Sequence, residues 1–198
     1  MITAHHDPDV EALVVISDLH LGSTAAMCPP LTELADGSGY IPNEVQEWIW
    51  NRFLDFRIHM KDRLHGRKWA LVVNGDVIDG VHHKTKEVIH PDVGIQVKLA
   101  VEVLEPLAKE ATHTYLIRGT ESHVGSTESG IGRAIGARMA GKEYSAHHWL
   151  IDVQGCLVSV KHHIGSTART WTRATALGAS LANERLEAAN GGRRLPNV

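Results

Sequence analysis

The sequence of 198 residues contains 14 histidines, and several of them fall beside aspartates where an apolar run breaks. Histidine is the side chain most often recruited for metals and for proton transfer near neutral pH. Asp18-Leu19-His20 follows the first apolar run. At a strand end a spacing of two turns both side chains to the same side and suits two ligands on one metal. Gly75-Asp76-Val77-Ile78-Asp79-Gly80 ends the second run with two carboxylates, and its glycines permit a tight turn and a close approach of backbone to ligand. Arg118-Gly119-Thr120-Glu121-Ser122-His123 ends a third run, and His162-His163 follows a fourth. Taken singly, each group has an ordinary explanation: a capping Asp18, a His20 packed in a loop, solvated carboxylates, surface histidines. Four such groups at four run ends favour a shared metal site. Its chemistry would be that of metal-assisted hydrolysis, since a bound cation stabilises developing negative charge and lowers the pKa of its water. The mixed oxygen and imidazole donor set suits two divalent ions of manganese, iron or zinc.

These groups need strands that end together. Ala12 to Ser17 is short, apolar and rich in β-branched residues, as expected of a strand buried on both faces. Trp69 to Val73 and Thr114 to Ile117 read the same way. Trp149 to Val153 and Cys156 to Val160 flank Gln154-Gly155, a hairpin turn. Between them, Asn43 is an N-cap for an amphipathic helix to about Leu64, with Val45, Trp48, Ile49, Phe53, Phe56 and Met60 at helical spacing and Trp48 and Phe56 expected in the core. Further helices are predicted from about Pro91 to Glu110, Ser129 to Ala140 and Arg169 to Ala189. Gly22 to Pro42, with Pro29, Pro30, Gly37 and Gly39, reads as a long loop. After Gly191-Gly192 another strand could begin. Alternating strands and helices, with polar residues gathered at strand ends, indicate an α/β fold with its site along that edge.

Bulk properties narrow the function classes. Hydrophobic residues at 43% and charged residues at 22% are ordinary for a globular domain and exclude disordered or collagen-like classes. One domain spanning residues 1–198 is expected. The net charge of −3 gives no global basic field for nucleic acid. Cys28 and Cys156 are too few for a disulfide framework or a cysteine-rich zinc site. The acidic N-terminus lacks the pattern of a signal peptide, and nothing approaches the roughly 20 apolar residues of a membrane span. A cytoplasmic protein without a membrane partner is expected.

The order Asp18-x-His20, Gly75-Asp76-x-x-Asp79, Gly119-Thr120-Glu121-Ser122-His123 and His162 resembles the motif series of the calcineurin-like metallophosphoesterases over residues 12 to 165. The resemblance implies a four-layer α/β/β/α sandwich. It implies Asp18 and His20 as ligands of a first metal, Asp76 as the carboxylate bridging two metals, and His162 as a ligand of the second, with His163 as the fallback. It further implies His123 as the proton donor to the leaving oxygen, with Asp79 orienting it. His82, His83 and Arg118 are candidates to contact the substrate, a phosphate ester of either monoester or diester type, with nucleotides and nucleic acids among the candidates. Two departures stand out. Thr120 occupies the place of an asparagine ligand, so that Thr120, Glu121 or a water fills that position. No Gly-His-x-His follows His162 before Leu195-Pro196-Asn197-Val198, so the C-terminal strands of such a domain are expected to be missing.

Two rival readings remain. A non-catalytic scaffold of the same fold would need neither metal nor ester. Gly125-Ser126-Thr127-Glu128-Ser129-Gly130-Ile131-Gly132 resembles the glycine-rich turn of nicotinamide-dependent reductases, but it follows the wrong strand, its glycine spacing is one residue too long, and no Tyr-x-x-x-Lys follows.

Overall fold

The computed structural model describes residues 2–81, 86–121, 127–165, 175–192 and 194–195. The chain is of mixed α/β class. Strand β1 (Ile2–His6), β2 (Ala12–Ile16), a small hairpin β3 (Thr32–Glu33) and β4 (Gly39–Tyr40), and helix α1 (Glu44–Leu64) come first. Strand β5 (Trp69–Asn74), helix α2 (Val93–Glu110), strand β6 (His113–Ile117), helix α3 (Thr127–Ala134), the pair β7 (His148–Val153) and β8 (Cys156–Val160), and helix α4 (Thr175–Gly191) complete the described order.

One sheet has the order β2-β5-β6 and is wholly parallel, with Val14 opposite Leu71 and Leu71 opposite Thr114. The other has the order β1-β7-β8, with β1 parallel and β8 antiparallel to β7. Strand β5 explains how they assemble. Its alternate residues Trp69, Leu71 and Val73 join a core with Phe53, Met60 and Leu64 of α1 and Leu99, Val103 and Leu107 of α2. Ala70 and Val72, pointing the other way, join Tyr115, Ile117, Trp149, Ile151 and Val160 in a second core shared with the other sheet. Each fully buried large apolar side chain contributes about 1.5–3 kcal/mol before entropy is counted. Strand β5 is therefore covered on both faces, as the centre of a parallel sheet requires, whereas β2, expected to be buried on both faces, is an edge strand that leaves Val15 51% exposed.

Local chemistry accounts for most element ends. Asn43 caps α1 through a capping box: its side chain accepts from the Gln46 N–H while the Gln46 side chain accepts from the Asn43 N–H. Asp92 caps α2 by accepting from Gly94 N–H. Gln154 and Gly155 both adopt positive φ, 51° and 81°, the conformation a two-residue hairpin demands.

Several expectations need correction. Trp48 is 63% exposed and Phe56 stands at 36%, whereas Phe53 and Met60 are buried. The buried line of α1 runs through Gln46, Phe53, Met60 and Leu64; Trp48, two positions beyond Gln46, is turned away from it by roughly 200°. Loop Gly22 to Pro42 is not devoid of structure, because it holds the β3–β4 ladder and Ser23 bridges to Val88. Helix α3 begins and ends earlier than its pattern suggested, and of the last predicted helix, residues 169–174 lie outside the described residues. Strand β1 escaped the sequence reading. Its partner β7 is distant in sequence, and a strand carrying His5 and His6 shows no apolar run. Arg194 and Leu195 are not in a strand. Among the described residues no helix is long and apolar enough to cross a membrane.

Candidate metal centre

Strands β2, β5 and β6 run in the same direction, so their C-terminal ends share one edge. Asp18 follows β2, Asp76 follows β5 and Thr120 follows β6. The approach of the first two turns is fixed by backbone bonds: Asp18 N–H to Gly75 O at 3.2 Å, His20 N–H to Asp76 O at 2.9 Å, Leu21 N–H to Val77 O at 2.9 Å, and Asp79 N–H to Leu21 O at 3.1 Å. One donor atom each from Asp18, His20 and Asp76 lies within 4.8 Å of the others.

The side chains do not converge as continued strand geometry would have them. Strand β2 stops at Ile16, and Asp18 and His20 adopt left-handed φ of 54° and 44°, as does Asp76 at 46°. They are three of the six described non-glycine residues with positive φ. A residue held there costs about 1–3 kcal/mol, and such outliers gather where geometry serves a site. Two consecutive reversals, rather than the alternation of a strand, aim Asp18 and His20 into the cluster.

Asp76 is the centre. It is 5% exposed. Its Oδ1 accepts the Thr120 N–H at 2.7 Å and the Thr120 hydroxyl at 3.1 Å. Its Oδ2 lies 3.1 Å from His162 Nε2 and 4.0 Å from His20 Nε2. Glycine is required on both sides. A Cβ on Gly75, at φ +76°, would lie 2.5 Å from the His162 ring, and one on Gly119 would overlap Asp76 itself.

The two histidines have their outer nitrogens assigned by their partners. His162 Nδ1 lies 2.6 Å from the Asn74 carbonyl, which only accepts, so Nδ1 carries the proton and Nε2 faces Asp76. His20 Nδ1 meets Asp79 Oδ1 at 3.1 Å, which likewise leaves Nε2 towards Asp76. Carboxylate and carbonyl partners of this kind fix the tautomer of metal-ligating histidines. Burial alone would lower the pKa of His162, but the Asn74 carbonyl and the charges of Asp76 and Asp18 outweigh it and hold the imidazole above its ordinary value. A proton on Nε2 would lie between His162 and the Asp76 carboxylate, two groups whose lone pairs otherwise repel. A cation can take its place: for donor bonds of about 2.0–2.2 Å, two atoms 3.1 Å apart are spaced as neighbours on one ion. The donor set and its spacing fit the expected group.

The remaining predicted residues are placed unevenly. Asp79 was expected to orient His123, which lies outside the described residues, as do His82 and His83; among the described residues Asp79 meets His20. The Thr120 hydroxyl is directed onto Asp76. His163, the fallback to His162, is exposed. Arg118 is turned to another segment, its Nε donating to Ser145 Oγ at 3.2 Å and its NH2 lying 3.8 Å from Glu143. Sequence reasoning missed Ser17, whose hydroxyl reaches both Asp18 and the Asn74 carbonyl. It also missed Asn74 and Glu128. Asn74 borders Gly75 at a strand end, a position that could have marked it; Glu128, in a polar Gly/Ser-rich stretch, gave no signal. Compared with known proteins, the chain matches no family model and no curated protein.

Proposed function

We propose that the protein is a metal-dependent hydrolase of phosphate esters, of the calcineurin-like metallophosphoesterase type. The observation that carries this reading is Asp76: one buried carboxylate whose Oδ2 faces histidines of two different segments, His20 and His162, with Asp18 beside it. That is the arrangement a bridging carboxylate needs. Asp18, His20 and Asp76 would hold the first ion, and Asp76 with His162 the second. Bound manganese, iron or zinc ions supply Lewis acidity towards the phosphate oxygens and towards water.

The chain's own residues do the rest. Asp79 and the Asn74 carbonyl keep His20 and His162 in the tautomers that offer Nε2 inward. Thr120 holds Asp76 Oδ1 through its N–H at 2.7 Å, with its hydroxyl 3.1 and 3.3 Å from the two carboxylate oxygens, and Oδ2 faces the histidines. Hydrolysis adds water across the P–O ester bond, and His123, by the resemblance of its motif, gives the departing oxygen a proton. The same reading makes the architecture a four-layer α/β/β/α sandwich. Helices α1 and α2 on one face of the parallel sheet, the second sheet on the other, and α4 bonded to Ser159 of β8 through Glu184 support it. Substrate choice between monoester and diester, nucleotide or nucleic acid, is assigned to the Gly22 to Pro42 loop together with His82 and His83, and the setting to the cytoplasm.

Manganese-dependent hydrolysis of bis(p-nitrophenyl) phosphate and p-nitrophenyl phosphate tests it. Activity should require the metal and fall at least 100-fold in Asp76→Asn, in line with the several kcal/mol that metal electrostatics contribute. A folded protein that neither binds manganese nor cleaves either ester would instead be a scaffold.

A further inference from the structure

Glu128 is a buried acid that the hydrolytic reading leaves without a role. It lies in the first turn of α3 and is 1% exposed. Its Oε2 accepts the Gly119 N–H at 2.7 Å, while Oε1 is fully buried and has no hydrogen-bond partner among the described residues. Burial raises its pKa to about 7, with the Gly119 and Val77 N–H groups working against that rise. The one hydrogen bond its geometry makes among the described residues is thus to the turn leading into Thr120.

Energetics argue against a merely adhesive role. Helix α3 is already anchored by Ile131, with Ile135 just beyond it, both in the apolar core, and an apolar residue in the first turn would extend that anchor at no desolvation cost. A carboxyl with one oxygen unpartnered is an expensive substitute. What it provides that an apolar residue cannot is an acceptor at a fixed point. Gly119 packs directly against Asp76, and the next peptide, Thr120 N–H, binds Asp76 Oδ1. A shift of the Gly119 peptide therefore moves the donor that orients the central carboxylate.

We infer that Glu128 is a positioning residue that clamps the Gly119-Thr120 turn against Asp76 and so sets the metal affinity of the centre, an inference that rests on the reading of Asp76 as a metal ligand. Position, not charge, is the operative quantity. Glu128→Gln keeps the length and an amide oxygen for Gly119; Glu128→Asp keeps the charge and withdraws the acceptor. Manganese binding to the full chain, measured by calorimetry alongside far-ultraviolet circular dichroism, separates the possibilities. Outer contacts of this kind are worth about 10- to 100-fold in metal affinity. Kd should rise by that factor in Glu128→Asp and stay within about threefold of wild type in Glu128→Gln. Should Glu128→Asp fail to fold, Glu128→Met, of similar length but without an acceptor, takes its place with the same expectation. Unchanged Kd in the folded Asp or Met variant, whatever its melting temperature, overturns the clamp and leaves the hydrolase reading intact. Equal weakening in Asp and Gln variants overturns it too. Wild-type protein that binds none of manganese, iron or zinc overturns both.

Discussion

At the scale of single residues, the centre is built from side chains whose freedom is removed by their neighbours. Asp76 has one oxygen occupied by Thr120 and the other turned to His162 and His20. Because Gly119 touches Asp76 where a Cβ would stand, Gly119→Ala should push the carboxylate aside and weaken manganese binding at least tenfold, the scale of a displaced orienting contact. A titration of metal into the variant checks this. Away from the centre, Asp7 is 2% exposed and accepts the Tyr115 hydroxyl at 2.8 Å, with His113 Nε2 at 3.2 Å from its other oxygen. Tyr115→Phe removes a donor from a buried carboxylate, and urea denaturation should show a loss of about 1–3 kcal/mol.

At the scale of elements, helix α1 depends on its first turn. Asn43 closes the capping box with Gln46 and also donates from Nδ2 to the Thr24 carbonyl at 2.8 Å. It ties the helix to the loop that leaves the Asp18-His20 turn. Asn43→Ala should cost about 1 kcal/mol of global stability, measurable by denaturation, with the manganese affinity of the centre little changed, since Gln46 Nε2 still donates to the Ser23 carbonyl and holds the same loop. Helix α4 is bonded differently, through Glu184 to Ser159 and Lys161 and through Ser180 to Lys161. Lys161 precedes His162, so this outer helix braces the strand end that delivers a ligand.

At the scale of the whole molecule, stability should depend on pH through groups far from the metal edge. Burial lowers the pKa of His113, with Arg138 adding to the effect and Asp7 and Asp9 opposing it. Burial likewise lowers His5, helped by Arg138, His113 and His6 and opposed by Asp7. A histidine kept neutral in the fold contributes stability that is present above its ordinary pKa of 6.5 and is lost as pH falls below it, because the unfolded chain then binds more protons. Glu128 works in the opposite direction: its raised pKa of about 7 favours the fold in acid, a contribution lost as pH rises towards 7. The comparison that isolates the histidines is His5→Gln/His113→Gln against wild type. The melting temperature of the variant should fall less on going from about pH 7.5 to about pH 5.5, the difference being about 2–4 °C if the pair is worth about 1 kcal/mol.

Much of this protein was legible in its sequence. Apolar runs of strand length announced β2, β5, β6, β7 and β8; burial on both faces explains the run of β5, whereas β2 is equally apolar yet half-buried at the sheet edge. Asn43 and Gln154-Gly155 marked a cap and a turn because few residues can satisfy those backbone positions. Asp18, His20, Asp76 and His162 stood out as ligand types at run ends, and all four meet at one edge. What the tertiary structure alone decided is how they meet. Left-handed turns at Asp18, His20 and Asp76 replace the expected strand alternation, and Asp79 serves His20. Strand β1 finds its partner across the chain, Trp48 faces away from the core it was assigned to, and Glu128 reaches Gly119 from a separate helix. The reason is physical: sequence spacing fixes local periodicity and residue chemistry, whereas a turn's hand, a non-local pairing and the partner of a buried polar atom depend on segments brought together only by packing the two cores.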